Sequence, residues 1–282
     1  MSSVKISLVV ATLGRTNELS MFLNSLVCQL FNSSDFEVII VDQNDNNLID
    51  ALLDAYIGKL NLIHIKSKIK GLSYNRNLGI QRSLGKYICV PDDDCTYYPD
   101  TLAEVWHQLE ALGFPDMIIG KVFDRATQKY IFKKTPTNAC HVHWYNFYPL
   151  VSSITLFFKR NEIQFNEHFG IGAAYASNED AEIILSFLKE GKRIIYSPLI
   201  ECNHPPYSNL NMSKEKLFAY GVGFGALCRK YLSLPILLLL FKVLVYQCIM
   251  LFKSVLLLDK QQFGRRWYAL KGRLFGFIRY SS

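Results

Sequence analysis

Over the first hundred residues, short apolar runs alternate with stretches in which apolar positions recur every three or four residues. Runs at 6–11, 36–41, 60–65 and 86–90 read as strands, and 17–30, 47–56, 72–83 and 99–112 read as helices. Strands this apolar must be covered on both faces, so the alternation predicts an α/β domain built on a parallel sheet with helices on either side. Ligands of such sheets bind beyond the carboxyl ends of the strands. Three polar clusters fall there: Thr12 to Arg15, Asp42 to Asp45, and Asp92 to Asp94. They are expected to meet on one edge.

The third cluster, Pro91-Asp92-Asp93-Asp94-Cys95, carries the most chemistry. Three adjacent carboxylates repel one another, which a cation, or a cation-bound phosphate ligand, would relieve; the plainer reading is a solvated acidic turn. Arg76 offers either a bidentate phosphate contact or a clamp on Asp92. Gly71 opens a helix whose N-terminus favours an anion, or it simply serves a tight turn. Further on, 179–190 reads as a helix, with Asn178 as a candidate cap and Glu179 and Asp180 in the first turn. His204 follows the strand 193–197 and is either a metal or phosphate contact or a structural turn residue. His141 and His143 lack a second ligand pair, so a zinc site is not read there. Trp144, Tyr145, Phe147 and Tyr148 offer a sugar-stacking surface or ordinary core.

Composition adds three things. Half of the 282 residues are apolar, enough for a sizeable core. Seven scattered cysteines form no C-x-x-C pair, which argues against a disulfide framework or zinc ribbon and fits a reducing cytoplasm; the N-terminus shows no signal-peptide pattern. The net charge of +7 is unevenly placed: from Arg229 onward there are ten bases and one acid, against 21 and 23 before it. Residues 232–258 are long and apolar enough for a bilayer span, but Lys242 and Lys253 fall on one helical face. That leaves an interfacial helix, a packed or oligomeric helix, or a true span. Lys260, Arg265, Arg266, Lys271, Arg273 and Arg279, interleaved with aromatics, suit an anionic membrane surface or a solvated basic helix. No RNP-like or zinc-finger pattern accompanies them, so nucleic acid is not an expected partner.

Five ordered segments across residues 4–205 resemble the family-2 glycosyltransferases of the GT-A fold. They are Val9-Val10-Ala11-Thr12-Leu13-Gly14-Arg15, Val41-Asp42-Gln43-Asn44-Asp45, the helix start from Gly71 to Gly79, Asp92-Asp93-Asp94-Cys95 in the place of the family's DxD element, and Asn178-Glu179-Asp180. Two departures stand out. Gln43 replaces a usual acid, and Cys95, a poor ligand for a hard cation, replaces the last Asp. The resemblance implies a GT-A domain over 1–212, a Rossmann-like nucleotide-binding sheet with an acceptor-side extension, followed by a helical, membrane-associating region over 213–282. It places Thr12, Arg15, Asp42, Gly71, Arg76, Asp92 and Asp93 around a nucleotide-sugar. It gives Asp94, with His204, to Mn²⁺ or Mg²⁺, makes Asp180 the general base, and sets Glu179 and Trp144 on the acceptor side. The implied reaction inverts the anomeric centre. One sugar, from UDP-hexose or alternatively dTDP-rhamnose, passes to a lipid-linked saccharide of a bacterial surface polysaccharide (O-antigen or capsule). The enzyme would be peripheral on the cytoplasmic face of the inner membrane, with an oligomer possible; the non-enzymatic alternative is an inactive nucleotide-binding or membrane scaffold.

Overall fold

The computed structural model describes residues 4–160, 164–205 and 212–281. The chain begins with β1 (Ile6–Thr12), α1 (Asn17–Val27), β2 (Phe36–Asp42), α2 (Asp50–Asp54), β3 (Leu62–Lys66), α3 (Leu72–Arg82), β4 (Tyr87–Cys89), β5 (Thr96–Tyr97) and α4 (Thr101–Ala111). It continues through β6 (Met117–Asp124), β7 (Lys129–Tyr130), β8 (Cys140–His141), β9 (Leu156–Lys159), α5 (Glu179–Lys189) and β10 (Ile194–Asn203), then α6 (Lys214–Lys230), α7 (Leu234–Leu256) and α8 (Lys260–Arg279). The predicted helix at 47–56 shrinks to the short α2. Asn46 explains part of this, since its side-chain oxygen accepts the Leu48 N–H at 3.2 Å and offers the backbone a turn instead of a helix.

The sheet runs β3-β2-β1-β4-β9-β6-β10-β5. The four strands read from the sequence are parallel, as expected, but β9 lies antiparallel between β4 and β6, so the whole sheet is mixed. Alternate residues of each central strand feed two cores. Val9, Ile39, Val41 and Ile88 point to one side, and Leu8, Val10, Val38 and Ile40 to the other. Under the second, α1 buries Leu19, Phe22, Leu23 and Leu26, the i, i+3, i+4, i+7 face its sequence predicts.

The C-terminal helices share the first of these cores. Phe224, Ala226 and Leu227 of α6 and Ile236 and Leu240 of α7 are buried in the cluster that contains Val9 and Ile39. The buried Glu182 of α5 accepts from Lys230 at 2.5 Å and from the Tyr231 hydroxyl at 2.8 Å, fastening the end of α6 to the domain. The expected boundary at residue 212 therefore divides two parts of one packed body. Helices α6 and α8 meet backbone to backbone through two Gly-x-x-x-Gly pairs. A Cβ at Gly221 or Gly225 would overlap the backbone of Ala269 or Arg273, and one at Gly272 or Gly276 would overlap that of Phe218 or Val222. Only glycine permits so close a crossing. Beyond this seam, α7 buries Gln247 and Ser254 while Leu237, Phe241, Val245, Ile249 and Phe252 stay exposed. It is long and apolar enough to cross a membrane, yet one side of it is packed on the protein.

Candidate active site

Register brings the polar clusters together. Thr12 stands opposite Asp42 where β1 and β2 end, and β4, paired to β1, runs into Asp92 to Asp94. Arg15, Gln43, Gly71 and the three aspartates line a cleft of about 1090 Å³ at that edge. The fourth contributor comes from β10. Its antiparallel pairing with β5 sets Asn203 opposite Thr96, which delivers His204 to Asp94.

The three aspartates have separate tasks. Asp93 is nearly buried and accepts from Thr12 at 2.7 Å and Arg15 at 2.7 Å; burial pushes its carboxyl up despite both contacts. Asp94 pairs with Arg15 at 2.5 Å and with His204 at 3.3 Å. Burial acts to raise its pKa, but the His204 hydrogen bond and the Arg15 charge outweigh it and hold Asp94 below the usual carboxylate range. Ligand atoms of Asp92, Asp94 and His204 all lie within 4.8 Å of one another. Two carboxylates and an imidazole at this separation suit a hard divalent ion such as Mn²⁺ or Mg²⁺. His204 also turns Nδ1 to the Pro205 carbonyl at 2.7 Å, which leaves Nε2 facing Asp94. Cys95 is buried, its thiol donating to the Asp92 carbonyl at 3.1 Å, away from the cation-holding trio.

Asp180 and Glu179 form the opposite lip. Asn178, at the start of α5, has a left-handed backbone (φ 67°) and no side-chain capping bond, so the capping role open to it in the sequence is not taken. Its oxygen instead accepts from the Tyr148 hydroxyl at 3.3 Å. Among the described residues, Asp180 accepts only the N–H of its neighbour Ala181, at 2.9 Å, and it lines the cleft. Burial pushes Asp180 up, while Arg76 and Lys133 pull the other way. Glu179 is pushed up by burial and by the Asp180 charge. A carboxylate so placed is suited to accept a proton.

Several expected positions are revised. Arg76, 1% exposed, does not reach the cleft; it clamps Asp92 at 2.8 Å and Glu179 at 3.4 Å, beneath the floor. Of its two readings, the clamp is the one adopted. Gly71 takes the tight-turn role: its φ is 138°, its N–H goes to the Gln43 side chain at 2.9 Å, and the next N–H goes to the Ile171 carbonyl, so the start of α3 is capped by protein. Asp42 is fully buried against Lys66 at 3.0 Å and His64 at 3.1 Å, and Thr12 serves Asp93 from below. Trp144 is not among the cleft residues; it packs on Tyr231, with ring centres 6.1 Å apart. What the sequence reading missed is the far wall. Lys133, Lys216, Arg265, Arg266 and Arg273 line the same cleft. Arg266, Ala269 and Arg273 recur at i, i+3, i+7 on one face of α8 with the seam glycines, and that spacing was the available signal. Three of the six tail cations thus turn inward, while Lys260, Lys271 and Arg279 are exposed.

The sheet and its strand-end cleft have the architecture of the GT-A fold. The fold resembles that of S. aureus TarS, with a TM-score of 0.61 at 19% identity over 81% of this chain and 43% of that one. It also resembles the Pyrobaculum calidifontis mannosyltransferase PcManGT, solved with GDP-Man and Mn²⁺ (0.65, 13%, covering 98% and 87%). Residues 7–184 match the family described as Glycosyl transferase family 2, and the chain belongs to that family. Among curated relatives, a Staphylococcus aureus poly(ribitol-phosphate) β-N-acetylglucosaminyltransferase, TarP, is 27% identical over 136 residues, 46% of this chain and 41% of its own. TarS, of the same description, is 25% identical over 58% of this chain and 30% of its own. The chain spans less than half the length of these relatives.

Proposed function

We propose that the protein is a metal-dependent, inverting glycosyltransferase that moves a hexose from a UDP-sugar to a lipid-linked saccharide in the synthesis of a bacterial surface polymer. The observation that carries this reading is the meeting, in one cleft, of a carboxylate–imidazole trio and Asp180, which forms no ion pair among the described residues. Asp92, Asp94 and His204 would hold Mn²⁺ or Mg²⁺. When bound, such an ion supplies positive charge beside the departing diphosphate. Asp180 takes the proton of the acceptor hydroxyl as that oxygen attacks the anomeric carbon from the face opposite the leaving group, so the centre inverts. Arg76, buried between Asp92 and Glu179, holds the two lips in register. UDP as the nucleotide is supported by the TarS complex with UDP-GlcNAc, a fold neighbour with a TM-score of 0.56.

The reading of acceptor and location is supported by α7 and α8. The exposed apolar face of α7, with Lys242 and Lys253 beside it and the exposed Lys260 at the α8 start, lies against the anionic cytoplasmic face of the inner membrane, where a lipid-carried acceptor is concentrated. The test is calorimetric titration of UDP with and without Mn²⁺ on the parent and on Asp94→Ala. Metal-dependent affinity in the parent, lost in the variant, is expected; metal-dependent affinity unchanged by the substitution would remove the trio from the site. A parent that binds no nucleotide would leave a scaffold role.

A further inference from the structure

The far wall of the cleft is built differently from its floor. On the floor, every cation has an acid: Arg15 has Asp93 and Asp94, and Arg76 has Asp92 and Glu179. On the wall, Arg266 and Arg273 line the same cleft, two turns apart on α8, with aromatic rather than acidic neighbours: Arg266 lies over the Tyr246 ring at 5.8 Å and Arg273 over the Phe224 ring at 5.6 Å. Among the described residues, neither arginine forms an ion pair. Arg273 spends one donor on the Ala269 carbonyl at 2.8 Å, and its Nε is buried with no partner. Guanidinium groups on one cleft wall without an acid favour the arrival of an anion. Planar paired donors fit phosphate.

The wall belongs to the acceptor's end of the cleft. Lys133 lies over the Tyr148 ring at 4.7 Å, Arg273 over the Phe224 ring that packs edge-on against Tyr148 at 5.4 Å, and the Tyr148 hydroxyl donates to Asn178, two residues before Asp180, at 3.3 Å. The group that loses its proton to Asp180 is the acceptor hydroxyl, so the cations that line the same cleft as Asp180 beside Tyr148 and Phe224 are placed to meet what the acceptor carries. Resting on the glycosyltransferase reading, we infer that Arg266 and Arg273, supported by Lys133 and Lys216, seat a phosphate group of the acceptor, making this an enzyme for phosphate-bearing glycans rather than neutral ones. That phosphate could belong to a polyol-phosphate chain or to an isoprenoid diphosphate carrier, and the chemistry recognised is the same.

The test uses full-length protein first saturated with UDP and Mn²⁺, so that the donor diphosphate's seat is filled. Ribitol 5-phosphate, farnesyl diphosphate and uncharged ribitol are then titrated separately. At least one phosphate probe should bind, ribitol should bind at least tenfold more weakly, and the probe that binds identifies the source. Arg266→Gln should weaken the phosphate probe by about tenfold or more, as for loss of a charge-assisted hydrogen bond, with UDP affinity changed less than twofold. Arg273→Lys keeps a cation at the α6–α8 crossing and should weaken phosphate binding with its melting temperature retained. Failure of both phosphate probes to bind the UDP-loaded parent overturns the inference. So does a parallel loss of UDP affinity in Arg266→Gln, which would assign the pair to the donor diphosphate. A parent that binds no UDP would instead overturn the enzyme reading and this inference with it.

Discussion

The floor and the wall of the cleft hold comparable numbers of charged side chains but keep them in opposite ways. Floor residues sit at strand ends, where backbone pairing fixes each position and neighbouring charges neutralise one another: Thr12 and Arg15 secure Asp93, Arg76 secures Asp92, and His204 arrives through the pairing of β10 with β5. The wall's arginines sit on α8, which is positioned by a seam of four glycines, and among the described residues Arg266 and Arg273 form no ion pair. A floor that satisfies itself is ready before any ligand binds. A wall of like charges is complete only when an anion joins it. The difference teaches that the floor is built for chemistry and the wall for selection.

The largest expected effect breaks the chemistry alone. Asp180→Asn keeps the size and the bond to Ala181 but cannot take a proton; transfer should fall by about 10² to 10⁴ while UDP affinity holds. Near-normal turnover, measured by release of UDP in the presence of acceptor, would return Asp180 to the role of a first-turn helix acid. Next comes the seam. Gly225→Ala forces a methyl group into the backbone of Arg273 and should destabilise the protein by about 1–3 kcal/mol, read as a lowered denaturant midpoint. If α6 and α8 hold the wall as argued, the folded fraction should lose acceptor turnover before it loses UDP binding; equal losses would show that floor and wall are not separable.

A smaller effect appears in pH. Asp180 and Glu179 are raised in the folded state by burial, so their neutral forms favour the fold. The stability they contribute is fully present below their unfolded values of about 4 and is lost as pH rises through the raised folded values. Asp180 must be ionised to act as a base, so activity should appear over the same interval in which this stability drains away. Glu179→Gln should accordingly gain melting temperature relative to the parent at pH 8 and not at pH 4; a gain of the same size at both would dissociate Glu179 from the effect. The smallest effect tests the outer surface. Lys242→Glu with Lys253→Glu should weaken sedimentation with anionic liposomes at low salt, by about 1 kcal/mol per charge near the surface, without altering soluble UDP binding. Binding equal to the parent's would rule out an interfacial role for α7.

The parallel strands and the convergence of three polar clusters on one edge were legible because period and strand-end position are local properties of the sequence. Strand β9 was not. Its four residues, Leu156–Lys159, are too short to show a period, and their antiparallel place between β4 and β6 depends on long-range pairing. Arg76 and Trp144 show a second limit: residue type announced what each could bind, but depth decided what each does, and depth comes from packing. The α8 cations show a third. Lys271 and Arg273 are two residues apart, yet one faces solvent and the other the cleft, because the α6 glycines select which side of the helix is covered.

The seam also sets an order in time. Floor residues are made in the first part of the chain, and the cations of α8 follow more than fifty residues after His204. A growing chain can pair β1, β2 and β4 and gather its aspartates before α8 exists, since early segments tend to fold first. During that interval the nucleotide end of the cleft precedes the end that chooses an acceptor. The four glycines then let α8 close against α6 without displacing a side chain, so α8 docks on a base made before it and completes the wall.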